Sequence, residues 1–326
     1  MENTADKIGM LLGEEDFTEK MTDMVRPFLE NNRKEGYFHG FRGIMLHYEC
    51  YKNRNEKAAI VVSHGFCEFA KKFEEVAYYF LQAGYSVYIP EHRGHGYSQR
   101  QVSDKGKVSV RSYEEYVRDL HAFITEVVLA ERPDRTLVLY GHSMGGTIAA
   151  LYLERYPKIF SRAVLSSPMM EIDLGRWPAP VVWGLMFLKK LLRSEEDYAP
   201  GNTAFTGIPD FEGSSCLSRA RYEDIFRKRI QDDNYQTNGA ACAWIWASLL
   251  AVHRAVKKAR FVKTPVLLFI AQEDRLVKQK GQGTFAKKSL CTELAVIAGA
   301  KHEIYNAGET ERKEYYQQLF AFLERK

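Results

Sequence analysis

A serine between two glycines, an aspartate and a histidine, each following an apolar run, are the residues of this chain whose types and spacing suit nucleophilic chemistry. The serine is Ser143, in Gly141-His142-Ser143-Met144-Gly145. Leu137-Val138-Leu139-Tyr140 leads into it and the helix-forming Ile148-Ala149-Ala150-Leu151-Tyr152-Leu153 follows, which predicts a strand, a sharp turn and a helix. Glycines lack a Cβ, so the backbone can turn tightly and hold the serine hydroxyl clear of the strand end. Unpaired N–H groups at a helix start favour negative charge, which makes the Met144 N–H a donor to a carbonyl oxygen under attack.

A serine hydroxyl needs a base, and the base needs an orienting acid. Behind a strand–turn–helix serine, acid and histidine come later in the chain, on loops after strands. The run Val266-Leu267-Leu268-Phe269-Ile270 passes into Ala271-Gln272-Glu273-Asp274-Arg275-Leu276-Val277, and Leu294-Ala295-Val296-Ile297 is followed by Gly299-Ala300-Lys301-His302-Glu303. Asp274 and His302 therefore stand where an orienting acid and a general base belong. Asp274 is preferred to Glu273 because it precedes the Arg275-Leu276-Val277 exit; Glu171 and Asp173, just past Ser167, are the alternative acids. His64-Gly65-Phe66 follows another apolar run, Ala59-Ile60-Val61-Val62, so the Phe66 N–H is expected as a second oxyanion donor. His64 reads as structural. His92 and His95, in Glu91-His92-Arg93-Gly94-His95-Gly96-Tyr97-Ser98, are expected to bond the backbone of their turn; no third ligand lies at metal-binding spacing, and the glycines do not match a dinucleotide fingerprint.

These residues need a scaffold that brings several strand ends together. Apolar runs at 59–63, 86–90, 137–140, 162–167, 265–270 and 293–297 alternate with helical patterns such as Phe73, Val76, Ala77, Phe80 and Leu81. That alternation predicts a mostly parallel sheet covered on both faces. Tyr37–Phe41 and Ile44–Tyr51 read as a hairpin turning around Gly43, and Ser112-Tyr113-Glu114-Glu115 as a capping box opening a helix. The alternation stops between 169 and 262, where apolar segments (177–192 and 240–252) and a basic one (221–230) predict a helical cap inserted between core strands. The expected organisation is a helical extension over 1–34, core over 35–168, cap over 169–262 and core again over 263–326.

The composition excludes several classes of function. A net charge of +4 over 326 residues, with lysines in short clusters, disfavours nucleic-acid binding. Five scattered cysteines without a C-x-x-C pair fit neither a disulfide framework nor a zinc site. No basic, then apolar, leader opens the chain, and the apolar run 239–252 falls short of the ~20 residues of a membrane span, so a cytoplasmic location is expected.

Together, His64-Gly65-Phe66-Cys67-Glu68, the Glu91–Ser98 turn, Gly141-His142-Ser143-Met144-Gly145-Gly146, Glu273-Asp274-Arg275-Leu276-Val277 and Ala300-Lys301-His302-Glu303 resemble the α/β-hydrolase superfamily. Within it the chain is similar to the monoacylglycerol lipase and lysophospholipase branch, which is also grouped with serine aminopeptidases. Two positions depart from the family pattern: Glu91 stands where aspartate is commoner, and Phe66 is bulkier than the usual residue. The resemblance implies an α/β-hydrolase fold with a cap, no cofactor, and hydrolysis of single-acyl-chain lipid esters such as lysophospholipids or monoacylglycerols by Ser143, His302 and Asp274. His142 and the cap residues Trp183, Met186 and Phe187 are the candidate substrate contacts. The apolar segment 181–188, followed by Lys189, Lys190 and Arg193, suits an acyl tunnel or transient contact with a membrane surface. An aminopeptidase would instead use acidic cap residues, Glu195-Glu196-Asp197 or Asp232-Asp233, to hold an amine, and a non-catalytic ligand-binding member is the remaining alternative.

Overall fold

Eight strands make one sheet in the computed structural model, which describes residues 7–325. They are β1 (Arg33–His39), β2 (Met45–Tyr51), β3 (Ala58–Ser63), β4 (Tyr85–Pro90), β5 (Leu137–His142), β6 (Arg162–Ser166), β7 (Val266–Ala271) and β8 (Thr292–Ile297). Their spatial order is β1-β2-β4-β3-β5-β6-β7-β8. β2 runs antiparallel to β1 and to β4; every pairing from β4 to β8 is parallel. All residues of β3, β5 and β7 are buried, as unbroken apolar strands covered on both faces must be. The edges differ in kind: β1 opens with Arg33-Lys34-Glu35, and β8 is half exposed.

Nine helices are needed to describe the layers. α1 spans 17–30, with a π turn at Met21–Val25; then come α2 (Glu74–Gln82), α3 (Tyr113–Phe123), α4 (Met144–Arg155), α5 (Ala179–Leu191), α6 (Arg219–Gln231), α7 (Cys242–Lys258), α8 (Gln279–Lys288) and α9 (Glu309–Leu323). On one face of the sheet, Tyr116 and Phe123 of α3, Ile148 of α4 and Ala251 of α7 pack with Val61, Leu139 and Leu165. On the other, Phe17 and Val25 of α1, Phe80 of α2 and Phe320 of α9 pack with Ile60, Val62, Tyr140 and Phe269. Neighbouring strand residues feed opposite cores because side chains alternate along a strand.

Three local expectations shift. The hairpin begins at Arg33, not Tyr37, because Arg33 reaches across the pair to Glu49 (3.0 and 3.1 Å) and its polar start sits on a solvated edge. Among its described residues the extension is helical at 7–8 and over 17–30, and residues 1–6 of it lie outside the described residues. Ser112 does cap α3, accepting from the Glu114 N–H (3.2 Å), but Glu115 does not complete the box; it turns inward to Arg93 (3.0 Å).

Between β6 and β7 the chain forms α5, α6 and α7. α7 lends Trp244, Ala247, Ala251 and Ala255 to the main core. α6 is held by ion pairs: Arg221, 1% exposed, donates to Glu75 of α2 (2.8 and 2.6 Å) and to Glu14 (3.1 Å), and Arg312 of α9 shares Glu75 (3.0 Å). Arg26 of α1 adds bonds to Asp224 (2.6 and 2.7 Å) and Glu74 (3.2 Å). Burial alone would raise the Glu75 carboxyl, yet Arg221 and Arg312 hold it below its ordinary range. Glu75→Gln leaves two buried guanidiniums under-compensated and is expected to lower the unfolding free energy by about 3 kcal/mol in urea titrations; an unchanged midpoint would show that these pairs carry no stability.

Candidate active site

β5 ends where α4 begins, and Ser143 takes the corner with φ 51° and ψ −118°, a conformation that L residues adopt only under constraint. The constraint comes from both sides. The Ser143 N–H donates to the Ser166 carbonyl at the end of β6 (3.1 Å), and its own carbonyl accepts from Gly146 (2.9 Å) and Met169 (2.9 Å). Gly145 is required because a Cβ there would overlap the Ser63 carbonyl at the end of β3.

His302, on the loop after β8, comes within 2.8 Å of Ser143 Oγ through Nε2 and within 2.6 Å of Asp274 Oδ2 through Nδ1. Asp274, on the loop after β7, has its Oδ1 saturated by the N–H groups of Leu276 (2.8 Å) and Val277 (3.1 Å), and its side chain is covered from solvent. Burial would raise this carboxyl; the His302 hydrogen bond and charge and the two backbone donors more than offset it and hold Asp274 below its usual value. An ionised Asp274 keeps the proton on Nδ1 and leaves Nε2 to accept from the serine. Glu273 is exposed, and Asp173 bonds the Gly175 N–H of its own turn (3.0 Å), so neither meets His302; Glu171 engages Lys278 through its backbone carbonyl (2.8 Å).

The N–H groups of Phe66 and Met144 donate to no acceptor among the described residues. Phe66 follows β3, its ring tilted against that of Trp244 of α7 (4.2 Å between centroids), and Met144 opens α4. A hydroxyl polarised by an imidazole, beside two free backbone donors, can form and stabilise a tetrahedral adduct on a carbonyl carbon.

The structure also organises residues whose roles had not been read from the sequence. Glu68 accepts from the Gly65 N–H, bonds His142 Nδ1 (3.1 Å) and Tyr305 (2.8 Å), and pairs with Lys72 (2.9 Å), which also holds Glu303 (2.8 Å). One buried carboxylate thus ties the Gly65–Phe66 loop to the serine corner and to the His302 loop. Burial opposes its charge, but His142 and Lys72 hold it well below the usual carboxylate range. The sequence signal was an acid three residues after Gly65 with a lysine four further on. Glu91 is a second hub, accepting from Ala70 (2.9 Å), Tyr97 (2.6 Å) and His47 (2.9 Å).

The remaining candidates separate. His142 is buried against the His302 ring (5.0 Å). Trp183 packs on Trp246 and lines a groove of about 430 Å³ with Met170, Leu174, Trp177 and Leu249; Met186 is buried against Ala199 and Cys242, and Phe187 is 58% exposed. His95 bonds the Arg93 carbonyl as expected (3.1 Å), but the His92 ring bonds the Ser63 hydroxyl (3.0 Å), at the end of β3, instead of its own turn. His64 lies between Gly65 O (2.8 Å) and the His92 N–H (2.9 Å).

The family model described as "Serine aminopeptidase, S33" matches residues 54–310. Lysophospholipase L2 of Escherichia coli K12 is 29% identical over 83% of this chain and 82% of its own length. A monoacylglycerol lipase of Mycolicibacterium smegmatis is 27% identical over 86% of this chain and 94% of its own. A thermostable carboxyl esterase from Bacillus coagulans superposes with a TM-score of 0.72 at 19% identity, covering 89% of this chain and 97% of that one.

Proposed function

The chain belongs to the serine aminopeptidase S33 family of α/β-hydrolases, and from that premise we propose that it cleaves the ester of single-acyl-chain lipids through an acyl-enzyme on Ser143. It is a carboxylic ester hydrolase, in the class of the lysophospholipase and the lipase it is similar to. The observation that carries the mechanism is the hydrogen-bonded chain from Ser143 through His302 to Asp274 beside two unused backbone donors.

In this reading Ser143 Oγ attacks the ester carbonyl as its proton passes to His302 Nε2, and the oxyanion sits between the N–H groups of Phe66 and Met144. The carbon–oxygen bond then breaks and His302 returns the proton to the leaving alcohol. Water, deprotonated by His302, attacks the acyl-serine; the fatty acid leaves and the serine recovers its proton. Asp274 holds the imidazole tautomer throughout. The substrate is a lysophospholipid or a monoacylglycerol, and residues 169–262 cap the site.

The groove lined by Met170, Leu174, Trp177, Trp183 and Leu249 is the proposed acyl site: Met169, the residue before it, donates its N–H to the Ser143 carbonyl. No helix among the described residues is long and apolar enough to cross a membrane. α5 nevertheless exposes Val181, Phe187, Leu188 and Leu191 beside Lys189 and Lys190, which suits contact with a lipid surface. Of the acids an aminopeptidase would use, Asp197 is engaged by Lys189 (2.9 Å) and Asp232 by Tyr97 and Asn234. Hydrolysis of p-nitrophenyl acetate, butyrate, octanoate and palmitate tests the acyl site: kcat/KM is expected to rise with chain length to an optimum, and equal values along the series would exclude the groove.

A further inference from the structure

On the cap side of His302 lies a cavity of about 400 Å³, within the range of small-molecule sites, lined among others by Lys72, Phe205, Asp210, Phe226, Arg229 and Glu303. Two of its lining residues are tied to the candidate catalytic residues: Glu303 follows His302 in sequence, and Lys72 joins Glu303 to Glu68, which grips the Gly65–Phe66 loop. A group attached to the ester oxygen would enter here once the carbonyl sits between Phe66 and Met144.

Arg229 is the unusual residue of this wall. The buried or half-buried Arg26, Arg33, Arg93 and Arg221 all meet carboxylates at 2.6–3.2 Å. Arg229 meets none: Nε donates to Tyr235 O (3.2 Å), Nη2 to Thr237 O (3.0 Å) and Asn238 Oδ1 (3.0 Å), and the guanidinium lies over the Phe205 ring (4.1 Å). Nη1 donates to nothing among the described residues. Burial outweighs the distant influence of Cys67, Tyr222 and Glu303, and pushes Arg229 below its ordinary value, whereas the carboxylates around the other four raise theirs. Arg100 bonds the other side of Thr237 through its hydroxyl (3.3 Å) and likewise has only neutral oxygens as partners. Glu303 is engaged by Lys72, which it shares with Glu68, and Asp210 is exposed to solvent.

We propose that this cavity receives the head group of a lysophospholipid, with the phosphate on Arg229 Nη1, so that a glycerophospholipid with one acyl chain, not a neutral glyceride, is the preferred substrate. The proposal rests on the ester-hydrolase reading and sharpens it. A half-buried guanidinium without a counter-ion is costly unless an anion completes it, and a phosphodiester does so through charge-assisted hydrogen bonds. Asp210 on the same wall suits the amine of a zwitterionic head group.

The test compares kcat/KM on 1-palmitoyl lysophosphatidylethanolamine and 1-palmitoylglycerol, in the same mixed micelles, for wild type, Arg229→Gln and Arg229→Lys. The wild type is expected to favour the lysophospholipid. Arg229→Gln is expected to lose about 10- to 100-fold more on it than on the glyceride, with Arg229→Lys recovering part of the difference. Equal losses on both lipids would mean that Arg229 only braces the 235–238 segment, and no loss on either would mean that the phosphate lies elsewhere; both overturn the proposal. A wild type inert on both lipids and on p-nitrophenyl esters would instead overturn the ester-hydrolase reading itself.

Discussion

Ser143→Ala is expected to lower kcat on p-nitrophenyl octanoate by about a million-fold, leaving only what the backbone donors and the binding groove supply. Alanine keeps the Cβ, so the corner at φ 51° is neither relieved nor worsened, and the helix start and the Gly145 approach to β3 stay as they are. What disappears is the Oγ that lies 2.8 Å from His302 Nε2. The variant should therefore match the wild type in thermal melting while losing turnover. Retention of more than about 1% of the rate in a preparation free of contaminating esterase would remove Ser143 from the mechanism.

Asp274→Asn should cost about 10,000-fold in kcat. The amide oxygen can still accept from the Leu276 and Val277 N–H groups, so the loop after β7 keeps its shape. Its NH2 then faces His302 Nδ1 as a donor, which moves the imidazole proton to Nε2 and presents the serine with a donor where it needs an acceptor. Nitrogen NMR of the His302 ring should show that exchange of tautomers. Glu273→Gln, one residue away and exposed, is the matched control, with a change of no more than about threefold. If both variants fell equally, the loop and not the carboxylate would matter.

The parts of this molecule legible in the sequence are those whose meaning is local. The Ser143 corner was legible because strand, turn glycines and helix formers are contiguous, and Asp274 and His302 because each closes a strand. β3, β5 and β7 were legible because burial on both faces needs unbroken apolar runs. Glu68, Lys72 and Arg229 were not, since a glutamate, a lysine or an arginine in a single sequence reads as surface. Their character comes from partners far along the chain: His142 and Tyr305 for Glu68, Glu303 for Lys72, and for Arg229 only carbonyls and an amide. β1 was placed late for a related reason, because its charged start is stabilised by Glu49 across the hairpin and not by its own pattern.

The ion pairs that fasten α6 to α2 and the N-terminal helix stop short of α5, whose ion pair, Lys189 to Asp197, stays within the 169–262 segment. If the proposed sites hold, substrate traffic then has a direction. The cavity proposed for the head group is lined by the fastened α6 and the groove proposed for the acyl chain by the unfastened α5, which would give the two products separate exits. On that reading the released alcohol would leave past a wall held by ion pairs, while the fatty acid would leave past α5, so acyl departure is expected to be the slower exit for long chains.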